Sequence, residues 1–450
     1  MNRGMNDDAR PERIFADGLH GTAPSRAPDR LRTQIRTQTS QLRPRPRWLA
    51  LIKESPMRIN SSLAVGSPTA RVAAIVVATL LLALMVAGAG IAGSRLLAAD
   101  GTIVVDQAGG GDYTTIGAAV DAAEDGDTIM IRPGTYSESV IVDKDLRILG
   151  DGESDSIVVD IPDDGPSAPF GDMNPRFGFW LQDATTELGN LTITGPDRNV
   201  SAVVATDGDH DIHDLVEDLD PYRFFPYGFV YINGSMTGTV SDNETKAFIW
   251  IDGEASPVIE RNRIVNVVRN DGQSSALVRN NDIGGVWVRG ESTATITDNR
   301  IDFANNGGAD GGFSTCGVEL SGEARPIVDS NEVRNAATGV CVRFAEPASL
   351  SGNRLIDNTT GMFVSSSDAL IRDNVVSGGR IGISTAGDAP SFIGNTVEGA
   401  SSTGFVIGTG SSAILSGNTI CGSPTNLEVF DIATPAIDAT NKICEDAPAE

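Results

Sequence analysis

The sequence predicts an all-β solenoid, and three observations carry that prediction. Asn331, Asn353, Asn374, Asn395 and Asn418 recur 22, 21, 21 and 23 residues apart, each followed two positions on by Val, Leu or Ile. Gly317, Gly339, Gly361, Gly382 and Gly404 keep the same beat. Within the glycine runs apolar residues alternate, as in Gly285-Val286-Trp287-Val288 and Gly317-Val318-Glu319-Leu320. A period in the low twenties is too short for a helical pair and fits about three short strands per turn, stacked coil upon coil.

Ahead of the repeat lie two unlike segments. Residues 1–71 hold 13 Arg or Lys against 6 Asp or Glu and have weak apolar patterning, so they read as a basic, mostly disordered tail. Residues 72–94 carry no charge, and 23 residues at 1.5 Å each span roughly 34 Å, enough for one transmembrane helix. Basic residues precede this segment and few follow it, which places the N-terminus in the cytoplasm and the rest outside, as a signal anchor. A cleaved signal peptide is the rival reading, since Ala87-Gly88-Ala89 offers small residues at a suitable place. A short linker, 95–100, joins this segment to the solenoid.

Residues 100–450 hold 54 acidic against 20 basic side chains, a net of −34. This charge argues against nucleic acid as a partner, and against polyanionic glycans unless a cation bridges them. All four cysteines lie in this part, which fits an oxidising compartment. Cys421 and Cys444 bracket the last stretch, where a bond between them would staple the C-terminal tail, 441–450, over the open end of the repeat, and Cys316 and Cys341 fall in neighbouring coils; four cysteines permit three pairings.

The solenoid begins near residue 101. Thr114–Glu124 places Ile116, Ala119, Val120 and Ala123 on one helical face, a plug for the first coil. Regularly placed Asn262, Asn299, Asn331, Asn353, Asn374, Asn395 and Asn418 are expected to stack at one corner and donate to one another along the axis. Asn tolerates positive φ, which suits a corner. The 32 residues from Asn299 to Asn331 imply a bulge over the Gly-rich 305–312 stretch.

Gly111-Asp112-Tyr113-Thr114-Thr115-Ile116, Asp125-Gly126-Asp127-Thr128-Ile129, Arg132-Pro133-Gly134-Thr135-Tyr136 and Leu146-Arg147-Ile148-Leu149-Gly150 resemble the entry to the pectin-lyase-like superfamily. That resemblance implies a single-stranded right-handed parallel β-helix over 101–440. It implies no single reaction, because the superfamily spans lyases, hydrolases, esterases, epimerases and non-enzymatic surface proteins. Gln182-Asp183 matches part of the pectinesterase pattern, but the second Gln and the Asp pair are missing from the following unit. Asp163-Asp164 matches part of the polygalacturonase pattern, without its Gly-His.

Two groups of residues stand out as candidate sites. Asp207-Gly208-Asp209-His210-Asp211-Ile212-His213-Asp214 opens an expected insertion at 206–227. Asp207, Asp209 and Asp211 suit calcium, although Ile212 stands where an EF-hand loop needs Gly. Asp209, His213 and Asp214 are the candidate catalytic groups, with His213 as a base beside Asp214. Trp180, Trp287 and Phe363 each stand two residues after a repeat glycine and are expected to face outward as a platform for sugar rings. These features leave three functions open: polysaccharide binding, polysaccharide cleavage with or without calcium, and a structural surface rod.

Overall fold

The computed structural model describes residues 101–450, apart from 171–173, 197–198, 219–226, 306–314, 346–347, 366–368 and 448–450. The basic tail, the uncharged segment 72–94 and the linker all lie outside the described residues. No helix among the described residues is long and apolar enough to cross a membrane.

The chain winds as a parallel β-helix. Thr295–Thr297 pairs in parallel with Leu277–Arg279 of the preceding coil and with Ile327–Asp329 of the next. The same stacking continues to Lys442–Ile443. Alternation sorts the side chains. Val286, Val318, Val340, Met362, Ile383 and Phe405 form one inward file, and Ile296, Val328, Leu350, Ile371, Phe392 and Leu415 form another. All twelve are fully buried, and burying such a side chain stabilises the fold by roughly 1.5–3 kcal/mol.

The repeat glycines are explained by close approach. A Cβ on Gly339, Gly361 or Gly382 would lie 2.4–2.5 Å from the carbonyl oxygen of the next glycine in the file. Any side chain there would push adjacent coils apart.

The asparagine file is continuous from Asn243 to Asn441 and includes Asn281. Each Nδ2 donates to the Oδ1 of the next Asn at 2.8–3.0 Å, as from Asn331 to Asn353 and from Asn395 to Asn418. Each backbone N–H donates to that same oxygen. A second Nδ2 proton goes to a carbonyl of the preceding coil, such as Val328 for Asn353. The expectation that Asn itself supplies the left-handed corner is corrected here. Positive φ belongs to the preceding residue, Asp298, Ser330, Gly352, Asp373 or Gly394, and that turn swings the Asn amide inward.

The first coil is plugged by the helix Ile116–Ala122, which buries Ile116, Ala119 and Val120. Glu138 accepts from the Ile116 and Gly117 N–H groups at one end, and Lys144 donates to the Val120, Asp121 and Ala123 carbonyls at the other. These charges satisfy orphan helix-end groups and oppose the helix dipole. The disulfides are Cys316–Cys341 and Cys421–Cys444. The second ties the tail to the last coils, where Ala447 also donates to the Ser423 carbonyl.

Replacing Asn353 by Ala leaves two Asn331 donors and the Val328 carbonyl without partners inside the wall. The expected loss is about 2–4 kcal/mol, read by urea unfolding. Asn353→Asp, which keeps the acceptor but buries a charge, is expected to cost at least as much.

Candidate functional site

The acidic segment is part of the coil. Asp209–Glu217 is a strand paired on one side with Thr185–Thr194 and on the other with Thr237–Ser241. Asp209–Glu217 of the expected insertion at 206–227 is therefore a coil strand, and residues 219–226 lie outside the described residues.

Alternation along that strand separates the proposed ligands. Asp209 and Asp211 point to solvent, while His210 is fully buried between the register positions of Thr186 and Gly238. Asp207 sits in the preceding turn and accepts from the Ser235 N–H and hydroxyl, both at 2.9 Å. Asp209 accepts from the Thr237 hydroxyl. Among the described residues, no three His, Cys, Asp or Glu groups are arranged to hold a metal ion.

Of Asp209, His213 and Asp214, the last two meet, while the Asp209 carboxylate is held by the Thr237 hydroxyl instead. His213 places Nδ1 2.8 Å from Asp214 Oδ2 and Nε2 3.3 Å from Glu187 Oε1. Glu187 in turn pairs with Arg147, which holds its carboxyl below the usual range. Both imidazole nitrogens are thus engaged by carboxylates in an exposed chain of charges.

The three aromatic candidates do share one outward file. By strand register it runs Trp180, Val204, Tyr231, Trp250, Arg269, Trp287, Glu319, Cys341, Phe363. At about 4.8 Å per coil, Trp180 and Trp287 stand roughly 24 Å apart. They do not form a uniformly open platform. Trp287 is only 6% exposed, whereas Trp180 and Phe363 are half-buried. Trp180 donates its indole N–H to the Thr206 hydroxyl.

The dense part of the file lies between, where sequence reading named only Trp287. Tyr231 stacks on Phe170 with centroids 4.6 Å apart, and Trp250 meets the pair edge-on. The Arg269 guanidinium lies 3.8 Å from the Trp250 ring centroid and pairs with Asp271 at 2.5 Å. One coil on, Arg289 lies 4.6 Å from the Trp287 centroid and pairs with Glu319 at 3.2 Å. Burial raises the Asp271 carboxyl above its ordinary range, against the pull of Arg269 and Arg289. It also pushes the Tyr231 phenol up.

Several polar atoms in this cluster are buried without hydrogen-bond partners among the described residues: the Tyr231 hydroxyl, Trp250 Nε1, Asp271 Oδ1 and Glu319 Oε2. Their signal was present in the period. Tyr231, Trp250, Arg269 and Trp287 are spaced 19, 19 and 18 residues apart, the same intervals as Asn243, Asn262, Asn281 and Asn299. It went unread because Trp250 and Arg269 stand in coils without the repeat glycine.

The domain is a right-handed parallel β-helix. More particularly, residues 227–420 match the family described as "Right handed beta helix region". No curated protein matches the chain in sequence. Among solved structures, it is similar to the periplasmic alginate epimerase AlgG at 13% identity and TM-score 0.40, covering 70% of this chain and 76% of that one. Pectin methylesterase PemA from Erwinia chrysanthemi gives 10% identity and TM-score 0.34, covering 52% and 89%. A mannuronan C-5 epimerase A-module from Azotobacter vinelandii gives 12% and 0.33, covering 74% and 95%. No residue role is carried from these proteins to this chain.

His210 provides a test within this region. Burial lowers its pKa, against the Asp207 backbone and the Asp207, Asp209 and Asp211 charges. Since an unfolded His titrates near 6.5, the unfolded chain binds a proton that the native one refuses. Stability is therefore full above about pH 6.5 and falls as pH drops toward the lowered native value. His210→Leu is expected to remove that component. Urea unfolding at pH 7.5 and 5.0 should show the variant gaining on the wild type by about 1 kcal/mol or more at the lower pH.

Proposed function

We propose that this chain is an extracytoplasmic polysaccharide-binding β-helix, anchored by residues 72–94, with its glycan face centred on Trp250, Arg269, Asp271, Trp287, Arg289 and Glu319. The observation that carries the reading is the repetition on nearby coils of one device: an arginine laid over a tryptophan and tied to a buried carboxylate. Stacked guanidinium and indole groups give a rigid surface for the apolar faces of sugar rings. The partly exposed Asp252 carboxylate at the edge of that surface supplies a directional acceptor for sugar hydroxyls. Two disulfides support an oxidising location, and the charge asymmetry about residues 72–94 supports the anchor.

Turnover at the same face is a second reading, and a specific observation favours it. Asp271, pushed toward its protonated form, follows Asp252 by one coil, with the Asp271 N–H bonded to the Ile251 carbonyl. Two carboxyls on adjacent coils, one of them raised by burial, form the kind of pair that glycosidic acid–base chemistry uses.

Retention of the full chain on immobilised acidic, neutral and amino polysaccharides, with and without calcium, tests both readings. Binding to at least one class is expected, weakened tenfold or more by Trp250→Ala, which removes a ring contact and the seat of Arg269. New reducing or unsaturated ends that disappear in Asp271→Asn would establish turnover. Retention unaffected by Trp250→Ala would move the binding face elsewhere, and no retention on any polysaccharide would sink the proposal.

A further inference from the structure

The charges on this face are not balanced, and the imbalance points to a class of sugar. Both arginines are committed: Arg269 pairs with Asp271 and Arg289 pairs with Glu319, each while stacked on a tryptophan. That leaves Asp252. It accepts the Gly253 N–H at 2.8 Å and has no cation within ion-pair distance among the described residues. Its carboxylate lies against the next coil, since a Cβ on Gly272 would fall 2.5 Å from Asp252 Oδ1. Gly272 directly follows Asp271, so Asp252 and Asp271 are neighbours on the edge of the aromatic file. Asn233 occupies the corresponding place one coil earlier, where a Cβ on Gly253 would fall 2.8 Å from its Oδ1.

Asp271 adds an independent feature. The residue is about nine-tenths buried, and its Oδ1 has no hydrogen-bond partner among the described residues although Oδ2 is held by Arg269. An acceptor oxygen left over from the Arg269 pair, beside a carboxylate with no cation among the described residues, suits a ligand that brings only donors. A protonated amine is such a group: it offers three N–H donors, no acceptor and a positive charge. The wider field acts in the same direction, because residues 100–450 carry a net of −34 and attract cationic chains while repelling polyanionic ones. A sugar carboxylate would instead meet Asp252 unshielded and would have to displace the acid already bound to each arginine.

We propose that the face takes a polysaccharide of amino sugars with protonated amines, the ring lying against Trp250 and the amine held between Asp252 and Asp271. This rests on the reading that the face binds glycan, and it names the class.

The test compares β-1,4-linked glucosamine oligomers with their N-acetylated forms, which keep the ring but lose the charge, and with galacturonate oligomers. Binding to the full chain in mild detergent is measured at low and moderate salt. The expected result is tighter binding of the free amine than of the acetylated form, on the order of fivefold. The gap should narrow with salt and close in Asp252→Asn. That variant keeps an oxygen for the Gly253 N–H, and an unchanged melting temperature confirms its fold. Glu254→Gln, which removes an exposed acid nearby, is expected to leave the gap intact; if it closes the gap equally, the role given to Asp252 is overturned. Equal binding of amine and acetyl forms, or preference for galacturonate, overturns the amino-sugar inference while leaving the glycan-binding reading standing. If no oligomer binds, both fall.

Discussion

From Asn243 onward, each coil of this domain turns a corner that buries backbone groups it cannot satisfy within itself, and the asparagine file resolves that constraint. Each Asn Oδ1 accepts two donors from the coil before, and each Nδ2 donates forward to the next Asn and back to a carbonyl. Adjacent coils are thereby locked at one spacing and in one register. Hydrogen bonds aligned head to tail also polarise one another, so the file is stronger as a chain than as separate pairs. The aliphatic files supply most of the cohesion, but they would tolerate slippage along the axis. The amides would not.

A fixed register turns distance along the chain into position on a face. Residues 18 or 19 apart become neighbours in one file, which is how Trp250, Arg269 and Trp287 meet although nothing local brings them together. Since the backbone is pinned on both sides, these side chains lose little further entropy when a ligand settles on them. An arginine stacked on an indole and tied to an acid is held in place before any ligand arrives. Pre-organisation of this kind suits recognition of a stiff polymer, whose sugars repeat along one direction as the coils do.

The architecture was legible because it is periodic. One Asn and one Gly per turn, read against strand alternation, gave the solenoid, the inward files and the buried amide ladder. The left-handed corner was misplaced by one residue, since Asp298 and Ser330 are weaker signals for positive φ than the Asn beside them. The site was far less legible. Local density of acids and histidines drew attention to 207–214, yet strand alternation sends His210 into the core and Asp209 and Asp211 outward, so a group that is compact in sequence is dispersed in space. The cluster around Trp250 is the reverse: it is scattered over nearly ninety residues from Tyr231 to Glu319 and dense only once the coils are stacked.

The Cys316–Cys341 disulfide bears on how far that face can extend. It sits at the end of the longest coil of the asparagine file, where 32 residues instead of about 20 separate successive ladder asparagines. A long coil is where register is most easily lost, because the strand that returns must find its place after a detour. Cys341 stands in the outward file directly after Glu319, and Cys316 begins the strand that carries Glu319. Closing a loop of this size removes roughly 3.5 kcal/mol of unfolded-chain entropy in the simplest account. Its position matters as much as its magnitude, since the bond fixes the returning strand against its neighbour beside the Arg289–Glu319 pair. Oxidation therefore supports the site and the solenoid at the same point. A covalent brace next to the proposed binding face supports the proposed extracytoplasmic location.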